Sequence, residues 1–266
     1  MFEDALGIRG NWPEHEELNE VQLAHLELIT KKLLTREPLQ YVLGQADFYG
    51  LKFSVTPAVL IPRQETEELV AWVLETLKKQ PDCQYVLDIG TGSGCIPIVI
   101  KKKRPDLSVA TVDISPEALI IAKQNAALHH VAIDFIECNI LHRSAWQLFS
   151  KYDCIISNPP YIPVQESALM PHQVKDFEPA LALFVNDENP LVFYDAIADF
   201  SKIHLKPGGY LFFECNEFNA KKVVQMLEKK GFSDVILQKD LNGKDRMIRA
   251  QMGLWPTRVH YSTPQL

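Results

Sequence analysis

Val86-Leu87-Asp88-Ile89-Gly90-Thr91-Gly92-Ser93-Gly94 is an apolar strand that runs into a glycine-rich turn, and a helical stretch follows from Cys95. Glycine lets the backbone turn sharply and approach a ligand where a Cβ would clash. The helix N-terminus then offers free N–H groups to that ligand. Pro97 falls in the first helical turn, where its missing N–H is tolerated. A dinucleotide-binding turn has the spacing G-x-G-x-x-G. Here the third glycine, Gly94, comes one residue early, giving G-x-G-x-G. A purely structural turn is the plain alternative, and the segments around the loop weigh against it.

Downstream, strands are expected at 85–89, 109–112, 133–136, 152–157, 210–214, 235–237 and 247–250, with helical segments between most of them. Alternating strand and helix predicts a mostly parallel sheet covered on both faces. The last two strands are joined by only 238–245, too short for a parallel crossover, so they pair antiparallel. Upstream, 1–36 reads as an acidic loop and one amphipathic helix, with Val21, Leu23, Leu26, Ile29, Leu33 and Leu34 at helical spacing. Glu37-Pro38 ends that helix. Residues 39–62, with Tyr41, Phe48, Tyr49 and Phe53 punctuated by Gly44, Gly50, Pro57 and Pro62, predict short strands in a hairpin. A helix follows over 64–79. The resulting division is 1–36, 37–80, 81–252 and a tail 253–266 that contains Trp255 and Pro256.

The second strand ends in Asp113, nineteen residues beyond Gly94. A carboxylate there can accept both hydroxyls of a ribose. A helix N-cap is the plainer role for it, but Ser115, followed by Pro116 and Glu117, is the better cap. The loop and Asp113 together predict S-adenosylmethionine, whose methionine moiety and ribose would face the shorter glycine turn.

The strand at 152–157 leads into Asn158-Pro159-Pro160-Tyr161. Ligand sites of α/β folds lie at the carboxyl ends of their strands. The prolines stiffen the loop and carry no N–H, so neighbouring carbonyls are free to face a pocket. The Asn158 side-chain oxygen and a backbone carbonyl can accept both hydrogens of an –NH2 group, and Tyr161 can stack on the flat group that bears it. Such a clamp suits methylation of an amide or aniline-like nitrogen. It draws electron density onto a poor nucleophile and holds it in line.

These residues resemble the peptide chain release factor glutamine methyltransferases (PrmC/HemK type). The resemblance includes Pro38-Leu39-Gln40-Tyr41 with Gly44, Phe48-Tyr49-Gly50, Leu60-Ile61-Pro62-Arg63, Glu65-Thr66-Glu67 and the loop at 87–96. It continues through 158–163, Phe177-Glu178-Pro179-Ala180-Leu181, Pro207-Gly208-Gly209 and Asp245-Arg246. It implies a Rossmann-like S-adenosylmethionine methyltransferase fold. That fold has a mostly parallel seven-stranded sheet with an antiparallel last strand, plus a small N-terminal helical segment and hairpin. It implies that Gly90, Thr91, Gly92, Ser93, Gly94, Asp113 and Asn158 hold the cofactor. Asn158, Pro159, Pro160 and Tyr161 would hold the glutamine of a release factor Gly-Gly-Gln loop. Three departures stand out: the 36 residues before Glu37 are short for the family, Asn139-Ile140 replaces an acidic residue and an aromatic, and Cys215-Asn216 replaces Ile-Gly.

Bulk properties bound the alternatives. Of 266 residues, 47% are hydrophobic, enough for a sizeable core, and the formal net charge is -7. A methyltransferase of adenine or cytosine amino groups would share the clamp, but the acidic balance and the lack of a spare domain disfavour it. The run Lys101-Lys102-Lys103-Arg104 suits a helix C-terminus better than a nucleic-acid patch. A nicotinamide-dependent oxidoreductase lacks support in the loop spacing, and a non-catalytic scaffold has no need of the clamp. Cys83, Cys95, Cys138, Cys154 and Cys215 lack metal-ligand spacing and read as buried thiols of a cytoplasmic protein. His129-His130 lacks partner ligands, so no metal is expected, and His172 reads as a surface residue. Glu65 and Glu67 near Arg63 could shape the pocket mouth or complement a helix start. No signal core, membrane span or direct nucleic-acid contact is expected, and a monomer is the simplest assembly.

Overall fold

The computed structural model describes residues 18–253, so the acidic loop at 1–17 and the tail beyond Gly253, with Trp255 and Pro256, lie outside the described residues. The chain begins with α1 (Glu20–Leu34), which Asn19 opens through a reciprocal capping box with Gln22. Only Ile29 of its apolar positions is buried, and Val21 and Leu34 are each 79% exposed. The helical spacing is there, but Val21, Leu23 and Leu34 of the stripe are left exposed.

The expected strand content of 39–62 is half right. Leu39–Leu43 is instead a short helix, α2, closed by Gly44 in the left-handed region (φ 69°). The Tyr41 hydroxyl donates to the Val59 carbonyl at 2.6 Å, which draws this aromatic into a helix that its strand propensity disfavours. The hairpin proper is β1 (Gln45–Phe48) against β2 (Leu51–Ser54). Its turn, Tyr49-Gly50, has positive φ at both residues, the backbone of a type I′ turn. Then comes α3 (Gln64–Lys78), which buries Leu69, Val70, Val73 and Leu77. Burying each such side chain contributes about 1.5–3 kcal/mol.

The main sheet uses β3 (Tyr85–Ile89), β4 (Ser108–Asp113), β5 (Asp134–Glu137), β6 (Tyr152–Ser157), β9 (Leu205–Glu214), β10 (Ser233–Lys239) and β11 (Asp245–Gln251). A small parallel pair, β7 (Ile162–Pro163) and β8 (Phe184–Val185), stands apart. The strand order is β10-β11-β9-β6-β3-β4-β5, and β11 alone runs opposite to the other six strands. This is the expected seven-stranded, mostly parallel sheet with an antiparallel last strand. The connecting helices are α4 (Cys95–Lys103), α5 (Pro116–Leu128), the short α6 (His172–Phe177) and α7 (Ala180–Leu183), α8 (Val192–His204) and α9 (Ala220–Lys229).

Successive strand residues point to opposite faces. Val86, Val109, Cys154, Ile156 and Phe212 pack with Leu69, Val73, Ile96 and Val99 on one side. Leu87, Ala110, Ile155, Leu211 and Phe213 pack with Ile197, Phe200, Val223 and Leu227 on the other. Because β4 and β6 flank β3 on opposite sides, the chain reverses its direction of travel across the sheet there. That switch point is where open α/β sheets form their ligand crevice. The hairpin region closes over it: Tyr41, Val55, Val59 and Ile61 pack on Ala118 and Ile121 of α5. All five cysteines are buried and unpaired.

Candidate active site

Three strand ends meet at the switch point. After β3, the Gly90 and Thr91 N–H groups donate to the Val112 carbonyl, at 2.8 and 3.3 Å, tying the glycine loop to β4. The Gly92 N–H donates to Asp113 Oδ2 at 2.9 Å, and the Ser115 N–H donates to Asp113 Oδ1 at the same distance. Asp113 is therefore partly engaged by backbone donors, although Ser115 takes the cap. Each carboxylate oxygen already accepts one backbone hydrogen and keeps lone-pair capacity for a ligand. Burial pushes its carboxyl up, and these backbone hydrogen bonds oppose the rise. The cap role falls to Ser115, whose Oγ accepts from the Ala118 N–H at 3.1 Å.

A cavity of about 480 Å³ opens beside the loop. Gly90, Thr91, Gly92, Ser93, Asp113, Asn158, Pro159 and Pro160 all line it. Gly94 does not. It sits at φ 82°, and a Cβ there would stand 3.1 Å from Ala122 Cβ, so its glycine serves the packing of α4 against α5. The far end of the cavity is apolar, with Ile114, Ile140, Leu141, Phe193 and Ile197. Asn139 and Ile140, where the family pattern fails, thus still form part of the wall.

A second cavity of about 260 Å³ shares Leu60, Arg63, Asn158, Pro159 and Ala182 with the first, and Tyr161 and Glu214 line it alone. The two compartments meet at Asn158-Pro159. Burial, and the Glu214 carboxylate beside it, push the Tyr161 phenol well above its ordinary range. The Tyr161 hydroxyl lies 3.4 Å from Glu214 Oε1. Asn158 Nδ2 donates to Thr66 Oγ1 at 3.3 Å, and Thr66 Oγ1 donates to Glu214 Oε2 at 2.6 Å. The loop at 177–181 roofs the site: Pro179 and Leu181 line the first cavity, and Glu178 pairs with Arg63 while accepting from the Ile61 N–H at 3.3 Å.

Sequence reasoning missed three of the site's supports. Of Glu65-Thr66-Glu67, the middle residue faces the site, and Glu67 instead accepts from the Tyr49 N–H at 2.7 Å in the hairpin turn. Glu214 ends β9 in an otherwise apolar run, and that charge in such a place was the available signal. Asn125 is fully buried on α5 and joins Ser54 of the hairpin to the Ser93 carbonyl of the glycine loop, at 2.7–3.0 Å. His172 is exposed beside Asp176, and His129 bonds the Lys52 carbonyl.

Residues 64–174 match the family model described as methyltransferase small domain. In solved structures, a 16S rRNA N2 G1207 methyltransferase of T. thermophilus, in complex with AdoMet and guanosine, superposes with a TM-score of 0.58. It is 18% identical, covering 78% of this chain and 49% of that one, and so establishes a Rossmann-like methyltransferase fold. The chain is 43% identical to a release factor glutamine methyltransferase of Flavobacterium psychrophilum, over 87% of this chain and 81% of that protein. It is 45% identical to a protein of the same name from Bacteroides thetaiotaomicron, over 85% of this chain and 80% of the relative. With likeness of that depth over that length, the chain belongs to the release factor glutamine methyltransferase family.

Proposed function

We propose that the protein transfers a methyl group from S-adenosylmethionine to the side-chain amide nitrogen of the glutamine in the Gly-Gly-Gln loop of peptide chain release factors. The observation that carries this reading is the meeting of two cavities at Asn158-Pro159, one beside the glycine loop and Asp113, the other beside Tyr161. A transfer enzyme needs a donor and an acceptor compartment with one shared wall.

The residues fit the cofactor. Gly90 and Gly92 line the first cavity at positive φ, so the loop backbone meets a ligand there with no Cβ in the way. Asp113 lines the same cavity and would accept from the ribose hydroxyls, and Ile114, Ile140 and Phe193 of its lining would give adenine an apolar wall. When bound, S-adenosylmethionine supplies an electrophilic methyl group.

The chain's own residues do the rest. Asn158 Oδ1 and a carbonyl beside the prolines accept the two amide hydrogens. Both interactions strengthen as positive charge develops on nitrogen, so they act on the transition state. Tyr161 and Pro159 hold the amide flat against the shared wall. With the donor bound, the nitrogen held by Asn158 and Tyr161 would take the methyl group, S-adenosylhomocysteine would leave, and the nitrogen would shed one proton to solvent without a dedicated base. The reading implies a cytoplasmic monomer, with a protein and not a nucleic acid as substrate.

The test is to incubate the full chain with labelled S-adenosylmethionine, a release factor, the same factor with its Gly-Gly-Gln glutamine changed to alanine, and duplex and single-stranded nucleic acid. One methyl group on that glutamine is expected, and none on the alanine variant. Label on nucleic acid, with none on the release factor, overturns the reading.

A further inference from the structure

We propose that Thr66 and Glu214 act as a hydrogen-bond relay that fixes which end of the Asn158 amide faces the acceptor compartment. The inference rests on the reading of Asn158 as the clamp on the substrate –NH2. Three contacts carry it: Asn158 Nδ2 to Thr66 Oγ1 at 3.3 Å, Thr66 Oγ1 to Glu214 Oε2 at 2.6 Å, and Tyr161 hydroxyl to Glu214 Oε1 at 3.4 Å. Thr66 and Glu214 are both almost wholly buried, so their polar atoms are partnered mainly by protein groups.

Two oxygens 2.6 Å apart need a hydrogen between them. An ionised carboxylate has none, so the Thr66 hydroxyl supplies it. A hydroxyl carries only one hydrogen. Having given it to Glu214, Thr66 Oγ1 can only accept on its other side. The Asn158 amide must then turn its Nδ2 toward Thr66, which leaves Oδ1 on the opposite edge, toward the junction of the two cavities. An asparagine amide is nearly symmetric in shape, and without such a constraint either end fits the same space. The wrong end would set an N–H donor against the –NH2 of the substrate and remove the acceptor on which the reaction depends.

The charges around Glu214 suit the role. Burial pushes its carboxyl up. The Thr66 hydroxyl, Arg246 of β11 and the Tyr161 hydroxyl oppose this, and Glu65 of α3 works with burial. Arg246 is itself fixed by the Cys215 carbonyl at 3.1 Å and Asp240 Oδ2 at 3.2 Å, so it provides field without taking the carboxylate's lone pairs. One carboxylate thereby orients two clamp side chains, Asn158 through Thr66 and Tyr161 directly. Thr66 and Glu214 are positioning residues, acting through Asn158.

The experiment measures single-turnover methyl transfer from labelled S-adenosylmethionine to a release factor, with cofactor affinity by calorimetry and folding by thermal melting. Glu214→Gln keeps the shape but can donate its amide hydrogen to Thr66, which turns the Thr66 hydroxyl toward Asn158 and reverses the relay. We expect about a 10²-fold fall in rate with cofactor affinity changed only a few-fold. Thr66→Val should lose about tenfold, and Thr66→Ser, which keeps the hydroxyl, should recover most of that. The deciding comparison places Thr66→Val in an Asn158→Ala background, where the Thr66 arm has nothing left to orient and the further loss should be about twofold or less. An equal fold-loss in both backgrounds, or near-parental rates for Glu214→Gln, overturns the relay. If Glu214→Gln does not fold, equal rates for Thr66→Val and Thr66→Ser overturn it, and a recovery in Thr66→Ser supports it. A parent chain that labels no release factor glutamine overturns instead the functional reading on which the relay rests.

Discussion

Asp113 and Asp88 stand one strand apart and do opposite things with their charge. Each Asp113 oxygen accepts one backbone hydrogen, from Gly92 and Ser115, and offers its remaining lone pairs to the cavity. Asp113→Ala should therefore weaken S-adenosylmethionine by about 10–100-fold, the worth of one or two charge-assisted hydrogen bonds, while changing the single-turnover rate at saturation only a few-fold. Calorimetry and quench-flow on the folded variant check this, and an unchanged dissociation constant would reduce Asp113 to a loop tether. Asp88 is fully buried and takes the Thr111 hydroxyl at 2.8 Å on Oδ2. Burial pushes its carboxyl up to about 7, against the pull of the Thr111 and Thr91 hydroxyls, from an ordinary value of 3.8. Between those two values the folded chain holds a proton that the unfolded chain has lost. Stability therefore falls as pH rises through that window and levels off above it. Asp88→Asn should melt roughly 5 °C or more above the parent at pH 8, with the gap closing toward pH 4. A gap that does not change with pH would show that Asp88 is not protonated on folding. The sequence made Asp113, Asn158 and Tyr161 legible because each follows directly from a strand and a turn whose chemistry is local. Thr66 and Glu214 were not legible as a pair, because they lie 148 residues apart and only the folded sheet brings them together.

At the scale of elements, the roof of the site hangs on one ion pair. Arg63 stands before α3 and Glu178 before α7, and the Glu178 side chain is only 1% exposed while that of Arg63 is 34% exposed. Removing Arg63 strands a buried carboxylate with the Ile61 N–H as its remaining partner. Arg63→Ala should thus cost about 1–3 kcal/mol, less than a fully buried pair because the guanidinium is partly solvated. The companion change Glu178→Gln should restore part of that stability in the double variant, since it removes the uncompensated charge. Urea midpoints of the three variants decide it, and a double variant less stable than Arg63→Ala would remove the ion pair from the account. Periodicity served the elements unevenly. Strands such as β6 were readable because buried parallel strands are continuous apolar runs. The stripe on α1 predicted a helix correctly but said nothing of what covers it, and Val21 and Leu34 are exposed. At Leu39–Leu43 a tertiary bond, from the Tyr41 hydroxyl to Val59, won over the strand propensity of the segment.

For the molecule as a whole, the cofactor compartment is where the otherwise separate layers meet. Its walls come from the hairpin linker through Val59 and Leu60, from α3 through Thr66, from β3, β4 and β6 through the loops at their ends, and from α8 through Phe193 and Ile197. Asn125 couples the hairpin, α5 and the glycine loop in one buried knot. A ligand that spans these walls binds the native chain and not the unfolded one, because no single segment carries the site. It must then stabilise the whole by mass action, by about 2.7 kcal/mol at a hundredfold excess over its dissociation constant. For a chain of this size that corresponds to roughly 5–10 °C in melting temperature. S-adenosylmethionine should give this shift, and the shift should grow with the logarithm of its concentration. Nicotinamide dinucleotides should give none. Their fingerprint has its third glycine one residue later, and here Gly94 starts the helix early, so the turn is one residue short of the one that cradles a pyrophosphate. Asp113→Ala should shift the concentration dependence to higher cofactor by the same factor that calorimetry gives, since both report one binding free energy. A melting temperature raised by a dinucleotide and not by S-adenosylmethionine would mean that the compartment serves hydride chemistry, and the clamp at Asn158 would then need another explanation.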